Sequence, residues 1–192
     1  MLKEKLKKYN VILASGSPRR QQFFKDLDID FTIQLKEVEE IYPKELKGTE
    51  ITDFLANLKS NAFTNLSEND ILITSDTIVW LDNNALGKPK DETDAFTMLR
   101  ALSGKKHEVI TSISIKNKSF QKIFNDTTIV TFKEISDEEI NYYIKNYKPF
   151  DKAGAYGIQE WIGLIAIDTI EGSYFNVVGL PTHKLYKELI NL

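Results

Sequence analysis

Cysteine is absent from the 192 residues, which rules out disulfides, cysteine-ligated zinc and thiol catalysis and fits a reducing compartment. Histidine is nearly as scarce. His107 and His183 lie far apart and share no metal-ligand spacing, so structural or surface roles are expected for both. No apolar run approaches membrane-spanning length, and the lysine-rich start, Met1–Lys8, leads into no signal-like apolar stretch. That start reads as a solvated lead-in to the first strand, and the protein as cytoplasmic with no membrane partner. A dominant charge is missing too. With 25 basic and 28 acidic residues the net charge is -3, which gives no nucleic-acid-coating surface. Any anionic ligand must be held by a local cluster of cations.

Three familiar motifs are also missing. Without Gly-x-x-x-x-Gly-Lys-Ser/Thr the chain is not a P-loop protein, and without Gly-x-Gly-x-x-Gly or Gly-x-Ser-x-Gly it lacks the marks of a dinucleotide fold or a serine hydrolase. What is present is ordinary for a globular protein, 42% hydrophobic and 28% charged, in a chain long enough for a real core. No repeat, low-complexity stretch or flexible linker divides it, so residues 1–192 are expected to form a single domain.

Val11–Ser15 reads as a buried strand that breaks into a Ser/Gly turn. Pro18 then opens a helix over Pro18–Leu27, with Ser17 as its N-cap, and Phe23, Phe24 and Leu27 recur at helical spacing. Phe31–Leu35 alternates like a half-exposed strand, and an acidic loop, Glu37–Glu40, follows. A helix is expected over Thr49–Thr64, capped by Thr49 or Thr52. Asp70–Trp80 is the central strand, apolar at Ile71–Ile73, polar at Thr74–Thr77 and apolar again at Ile78–Trp80. Asp82–Asn84 and Gly87–Pro89 are turns. Asp91 caps a helix that ends at Gly104. Glu108–Ile115 and Phe120–Phe132 form a hairpin, and Ser136 with Glu139 makes a capping box for the next helix. Asp151–Gln159 is a glycine-punctuated loop, Trp161–Ile170 a strand, Gly172–Val178 a loop or short helix, and Leu185–Leu192 a closing helix. Strands and helices interleave without strict βαβ alternation, which argues for an α/β fold with a mixed, twisted sheet and flanking helices.

The chemistry-bearing residues sit at strand ends and loops. Arg19 and Arg20 follow a strand–turn–helix junction, where free backbone N–H groups and the positive helix end face one point. Arginine can grip phosphate oxygens in bidentate fashion, so this junction is a candidate polyphosphate site or an ordinary capped helix with two surface arginines. Lys88 is held in extended backbone by Pro89. Lys59 lies on the helix before the central strand, and Glu39 and Glu40 in the acidic loop. Asp76 ends a buried apolar run, and ligands of open α/β sheets collect at strand carboxyl ends. Cations to neutralise charge, carboxylates to hold a metal and a base are what phosphate chemistry requires.

Taken in order, six segments resemble the Maf family of nucleoside triphosphate pyrophosphatases over nearly the whole chain, Val11 to Leu192. They are Leu13-Ala14-Ser15-Gly16-Ser17-Pro18-Arg19-Arg20, Ser75-Asp76-Thr77-Ile78-Val79, Gly87-Lys88-Pro89, Leu102-Ser103-Gly104 with His107, Asp151-Lys152-Ala153-Gly154-Ala155-Tyr156-Gly157-Ile158-Gln159, and Gly172-Ser173 followed by Val178-Gly179-Leu180-Pro181. The resemblance implies two lobes of a Maf/ITPase-like fold around a central cleft. It implies hydrolysis of a nucleoside triphosphate to the monophosphate and diphosphate with a divalent cation, Mg²⁺ or Mn²⁺. Asp76 looks like the catalytic carboxylate, with Glu40, Lys59 and Lys88 as the other charged site residues and Glu40 and Asp76 as the metal-holding pair. Ser15 and Arg20 belong to the phosphate loop, and Arg19, Thr77 and Gln159 match positions of base selection. The Asp151–Gln159 segment is similar to the branch that prefers dTTP and UTP. The alternative is a nucleotide-sensing module linked to cell division or septum formation. A homodimer is an expectation of the resemblance alone. Two departures stand out: Ser60 after Lys59, where alanine is usual, and Glu160-Trp161 after Gln159, where a small residue is usual.

Overall fold

A computed structural model describes all 192 residues, Met1–Leu192. The chain forms one seven-stranded sheet in the order β2-β1-β3-β5-β6-β7, with β4 paired to β3. The strands are β1 (Asn10–Leu13), β2 (Thr32–Ile33), β3 (Asp70–Leu81), β4 (Asn84–Leu86), β5 (Lys106–Lys116), β6 (Gln121–Phe132) and β7 (Ile167–Glu171). The sheet is mixed, as expected. β1 runs parallel to β2 and β3, while β3–β4 and β6–β7 are antiparallel. Eight helices flank it: α1 (Leu2–Leu6), α2 (Pro18–Asp26), α3 (Thr49–Asn61), α4 (Glu92–Leu102), α5 (Asp137–Tyr147), α6 (Trp161–Ala166), α7 (Tyr174–Val178) and α8 (Thr182–Ile190).

The chain divides into two compact units. The first holds Met1–Asp76, Thr111–Asp126 and Gly179–Leu192, and the second Thr77–Ile110 and Thr127–Val178. Each has its own core. In the first unit Val11, Leu13, Ile71 and Ile73 meet Phe24, Leu180, Leu185 and Leu189, while Ile12 and Leu72 point the other way, onto Phe63. Successive strand side chains point to opposite faces, so a strand covered on both sides reads as a continuous apolar run. That is why Val11–Leu13 and Ile71–Ile73 show no alternation. In the second unit Leu99, Leu102, Phe132, Ile140 and Tyr143 pack with Tyr156, Ile158 and Ile162.

Three local expectations are corrected. The lysine-rich start is not a solvated lead-in. It is the helix α1, and Leu2 and Leu6 are buried in the first unit's core beside α8. Two apolar residues at i and i+4 were enough to anchor one turn. Trp161–Ile170 is not a single strand: α6 takes its first part and β7 begins only at Ile167. A short apolar run cannot distinguish a strand from a buried helical turn by periodicity. Gly163 decides it, because a Cβ there would lie 1.8 Å from the Ile158 carbonyl oxygen, and only glycine lets this turn close against that backbone. Neither Thr49 nor Thr52 caps α3, whose N-cap is Gly48; the Thr52 hydroxyl bonds back to the Thr49 carbonyl. Ser17 does stand at the N-cap of α2, with Pro18 following, but its side chain makes no capping bond.

Other expectations hold. Asp91 accepts from the Asp94 N–H at the start of α4, and Ser136 and Glu139 form the full capping box of α5. The strand β4 was not anticipated. Asp82 and Asn83, both at positive φ, make the tight turn that returns the chain onto β3.

His107 is structural. It is buried in the second unit with Nε2 2.8 Å from the Tyr156 hydroxyl and its ring edge-on to Phe132. Burial pulls its pKa down from 6.5 to about 4. Above pH 6.5 both folded and unfolded chains carry a neutral imidazole. As pH falls below that value only the unfolded chain gains the proton, so stability is lost until the folded pKa is reached. Between pH 7.5 and pH 5 this single group should remove about 2 kcal/mol of unfolding free energy. Urea titrations at the two pH values measure it, and the His107→Leu variant should lack this component.

Candidate active site

Asp76 was expected where a strand ends, but it lies in the middle of β3, and there alternation and helix spacing build a charged centre. Thr74 and Asp76 are two residues apart on the strand and so share a face. Ala56 and Lys59 are three apart on α3, and so also share one. The Thr74 hydroxyl donates to the Ala56 carbonyl at 2.7 Å, and one turn further on the Lys59 ammonium meets Asp76 Oδ1 at 2.6 Å. Glu40, from the acidic loop, places Oε1 2.9 Å from the same Nζ. Asp76 is buried, Lys59 is half-buried and Glu40 is exposed. One lysine thus carries two carboxylates at the middle of a strand buried on both faces.

Arg20 sits in the first turn of α2, beside this centre. Its Nε donates to the Gly179 carbonyl at 2.8 Å, and its Nη1 to the Ser75 carbonyl at 3.0 Å and to Ser15 Oγ at 3.4 Å. Ser15 Oγ also accepts the Ser17 N–H, which holds the turn between β1 and α2 closed. Burial lowers the Arg20 pKa to about 10; the nearby Asp76 and Glu40 raise it, and Arg19 lowers it. The guanidinium is still a full cation at pH 7. Two charges of each sign therefore lie together in the first unit: Arg20 and Lys59 against Asp76 and Glu40.

The structure brings Ser15, Arg20, Glu40, Lys59 and Asp76 into one neighbourhood, with Arg19 next to Arg20. Thr77, Lys88 and Gln159 belong to the second unit. Thr77 follows Asp76 on β3, Lys88 is exposed ahead of the buried Pro89, and Gln159 is exposed at the end of its loop. Sequence reasoning missed the Ser75 and Gly179 carbonyls as partners of Arg20, because backbone acceptors carry no residue-type signal. It also missed the ring of polar contacts around Glu160, although the departure from a small residue there was visible.

A magnesium-like ion prefers oxygen ligands and uses one or two carboxylates together with substrate phosphates. Glu40 and Asp76 provide such a pair, already gathered on one cation, whereas no cluster of three or more acidic or imidazole groups exists. The donor set fits a hard divalent ion that completes its shell on the substrate, and does not fit an all-protein metal cage.

In fold, the chain is similar to two solved structures. The Ham1 protein of Staphylococcus aureus superposes with a TM-score of 0.53 at 19% identity, covering 93% of this chain and 99% of that one. A HAM1 protein from Coxiella burnetii gives 0.51 at 14% identity, covering 96% and 100%. The likeness is one of fold, a mixed α/β architecture shared with both. Residues 10–192 match the Maf-like protein family, and the chain belongs to it. A Flavobacterium johnsoniae protein named dTTP/UTP pyrophosphatase is 65% identical over 193 residues, covering 100% of both chains. One of the same name from Bacteroides thetaiotaomicron is 47% identical over 189 residues, covering 97% of this chain and 98% of that one.

Arg20 ties three chain segments through charge-assisted hydrogen bonds to carbonyls, each worth roughly 1.5–3 kcal/mol. Arg20→Ala should lower the unfolding free energy by about 2–4 kcal/mol, read as a reduced urea midpoint at unchanged m-value.

Proposed function

We propose that this protein is a nucleoside triphosphate pyrophosphatase that hydrolyses dTTP and UTP to the monophosphate and diphosphate, a house-cleaning activity on the nucleotide pool. The observation that carries the proposal is Asp76 of β3 with Lys59 and Glu40, beside Arg20, in a Maf-family chain. The shared name of the relatives supports the substrate.

In this reading water attacks the α-phosphorus, the bond to the bridging oxygen breaks and diphosphate leaves. The Asp76 carboxylate takes the proton of the attacking water. Lys59, in contact with that carboxylate, holds it in place and keeps its charge compensated. Arg20 and Lys59 neutralise phosphoryl oxygens, and Lys88 adds positive charge for the leaving diphosphate, the electrostatic strategy general to phosphoryl transfer. Ser15 and the turn that follows it shape the phosphate loop. Glu40 and Asp76 would hold a divalent cation, Mg²⁺ or Mn²⁺, which when bound neutralises phosphate charge. Arg19, Thr77 and Gln159 select the base. The Gln159 amide can both donate to and accept from the O4/N3–H edge shared by thymine and uracil, an edge that cytosine reverses. The single-domain and cytoplasmic assignments belong to this reading and rest on the sequence, and the homodimer rests on the family alone.

A nucleotide panel with diphosphate release as readout tests the proposal. dTTP and UTP should be turned over and dCTP, CTP and purine nucleotides much less. Asp76→Asn should reduce kcat by about 10²–10³-fold or more while the far-ultraviolet spectrum stays that of the folded wild type. Near-normal turnover in that variant would remove Asp76 from the mechanism. Wild-type release of diphosphate only when a second substrate is added would mark a nucleotidyltransferase instead.

A further inference from the structure

The loop carrying Gln159 is closed by a buried ring of side chains that the reaction does not use. Lys152, near its start, has a side chain only 9% exposed and places Nζ 2.7 Å from Asp151 Oδ1 and 3.0 Å from Glu160 Oε1. Glu160 directly follows Gln159. Its second oxygen accepts a hydrogen bond from the fully buried Tyr143 hydroxyl of α5, and that hydroxyl accepts the Gly157 N–H at 3.0 Å. The Glu160 N–H returns to the Gly157 carbonyl at 2.9 Å. A Cβ at Gly157 would stand 2.9 Å from both Lys152 Cε and Glu160 Cδ, so the ion pair lies directly across the loop backbone.

These contacts have a common direction. Lys152 joins the start of the loop to its end, Tyr143 joins the loop to α5, and both act through Glu160. The backbone is thereby fixed at Gly157 and at Glu160, on either side of Gln159, whose own side chain is exposed. A loop tied at only one end would leave the amide several orientations. Burial, followed by the bond to Glu160, pushes the Tyr143 pKa well above the ordinary phenol range, so the hydroxyl remains a donor at all working pH values. An acid at position 160, where the family resemblance leads one to expect a small residue, is what allows Lys152 to be buried with two carboxylate partners. A buried lysine with fewer partners is costly.

We propose that Glu160, together with Lys152 and Tyr143, is a positioning group that fixes the direction of the Gln159 amide and thereby sets discrimination between uracil-type and cytosine-type nucleotides. The inference rests on the reading above that Gln159 faces the base. It gives the two units different jobs: the first unit's charges act on phosphate, and this ring of the second acts on selectivity through a neighbour.

Two variants test it. Glu160→Gln keeps the shape and the acceptor for Tyr143 but removes the charge facing Lys152. Tyr143→Phe keeps the ion pair but cuts the link to Gly157 and α5, so either serves if the other fails to fold. The ratio of kcat/KM for dTTP to that for dCTP should fall by about 10-fold or more in each, chiefly through a higher KM for dTTP. Amide hydrogen exchange across residues 153–160 should rise in the same variants, a readout independent of turnover. An unchanged ratio with folded variants overturns the selectivity role, even if exchange rises. Unchanged exchange in both overturns the ring as a positioning device. Wild-type protein that releases no diphosphate from any nucleotide overturns the functional reading instead, and the exchange measurement still decides the ring.

Discussion

A carboxylate on a strand buried on both faces is expensive, because desolvating an unpaired charge costs several kcal/mol. The ammonium of Lys59 against Asp76 removes that expense, and much of the first unit is arranged so that the two can meet. The helix α3 must lie along β3 in one register, set by the Thr74 bond to the Ala56 carbonyl. The acidic loop must come back far enough for Glu40 to reach the same ammonium. Arg20 must then sit close enough for Asp76 and Glu40 to support its charge against its own burial. Neither Asp76 nor Arg20 would be stable alone at its depth. Their mutual compensation also holds the cations in place, so that they need no reorganisation when an anion arrives.

The same arrangement explains which features were legible in the residues. Asp76 could be picked out because it interrupts a run of apolar residues, and α4 and α5 because Asp91 and Ser136 carry side-chain caps that the structure reproduces. Lys59 was visible only as a lysine on a helix. What gives it meaning is the register of α3 on β3, which no local pattern encodes. The start of the chain misled because its lysines outnumber its leucines, yet two leucines one turn apart suffice to bury a face. Trp161–Ala166 misled for the opposite reason: its aromatic and β-branched residues favour a strand, but close approach to the Ile158 backbone selects a helical turn.

Glu160 illustrates what a departure from a family pattern can mean. Read alone, an acidic residue after Gln159 looks like a disturbance of the loop. In the structure its carboxylate meets Lys152 and Tyr143, both of the second unit. The residue that differs ties the loop's end to its start and to α5.

The chain passes between its two units four times, after Asp76, Ile110, Asp126 and Val178, and three of those passages lie inside strands β3, β5 and β6. A ribosome therefore cannot release a finished unit early. The first unit needs Leu180, Leu185 and Leu189 for its core and the Gly179 carbonyl for Arg20. Its charged centre, although encoded almost entirely before residue 77, must wait for a segment made after the whole second unit has been synthesised. Until then Asp76, Lys59 and Arg20 belong to an open, unsealed core, which closes only once Gly179 and the leucines of the last helix have been made.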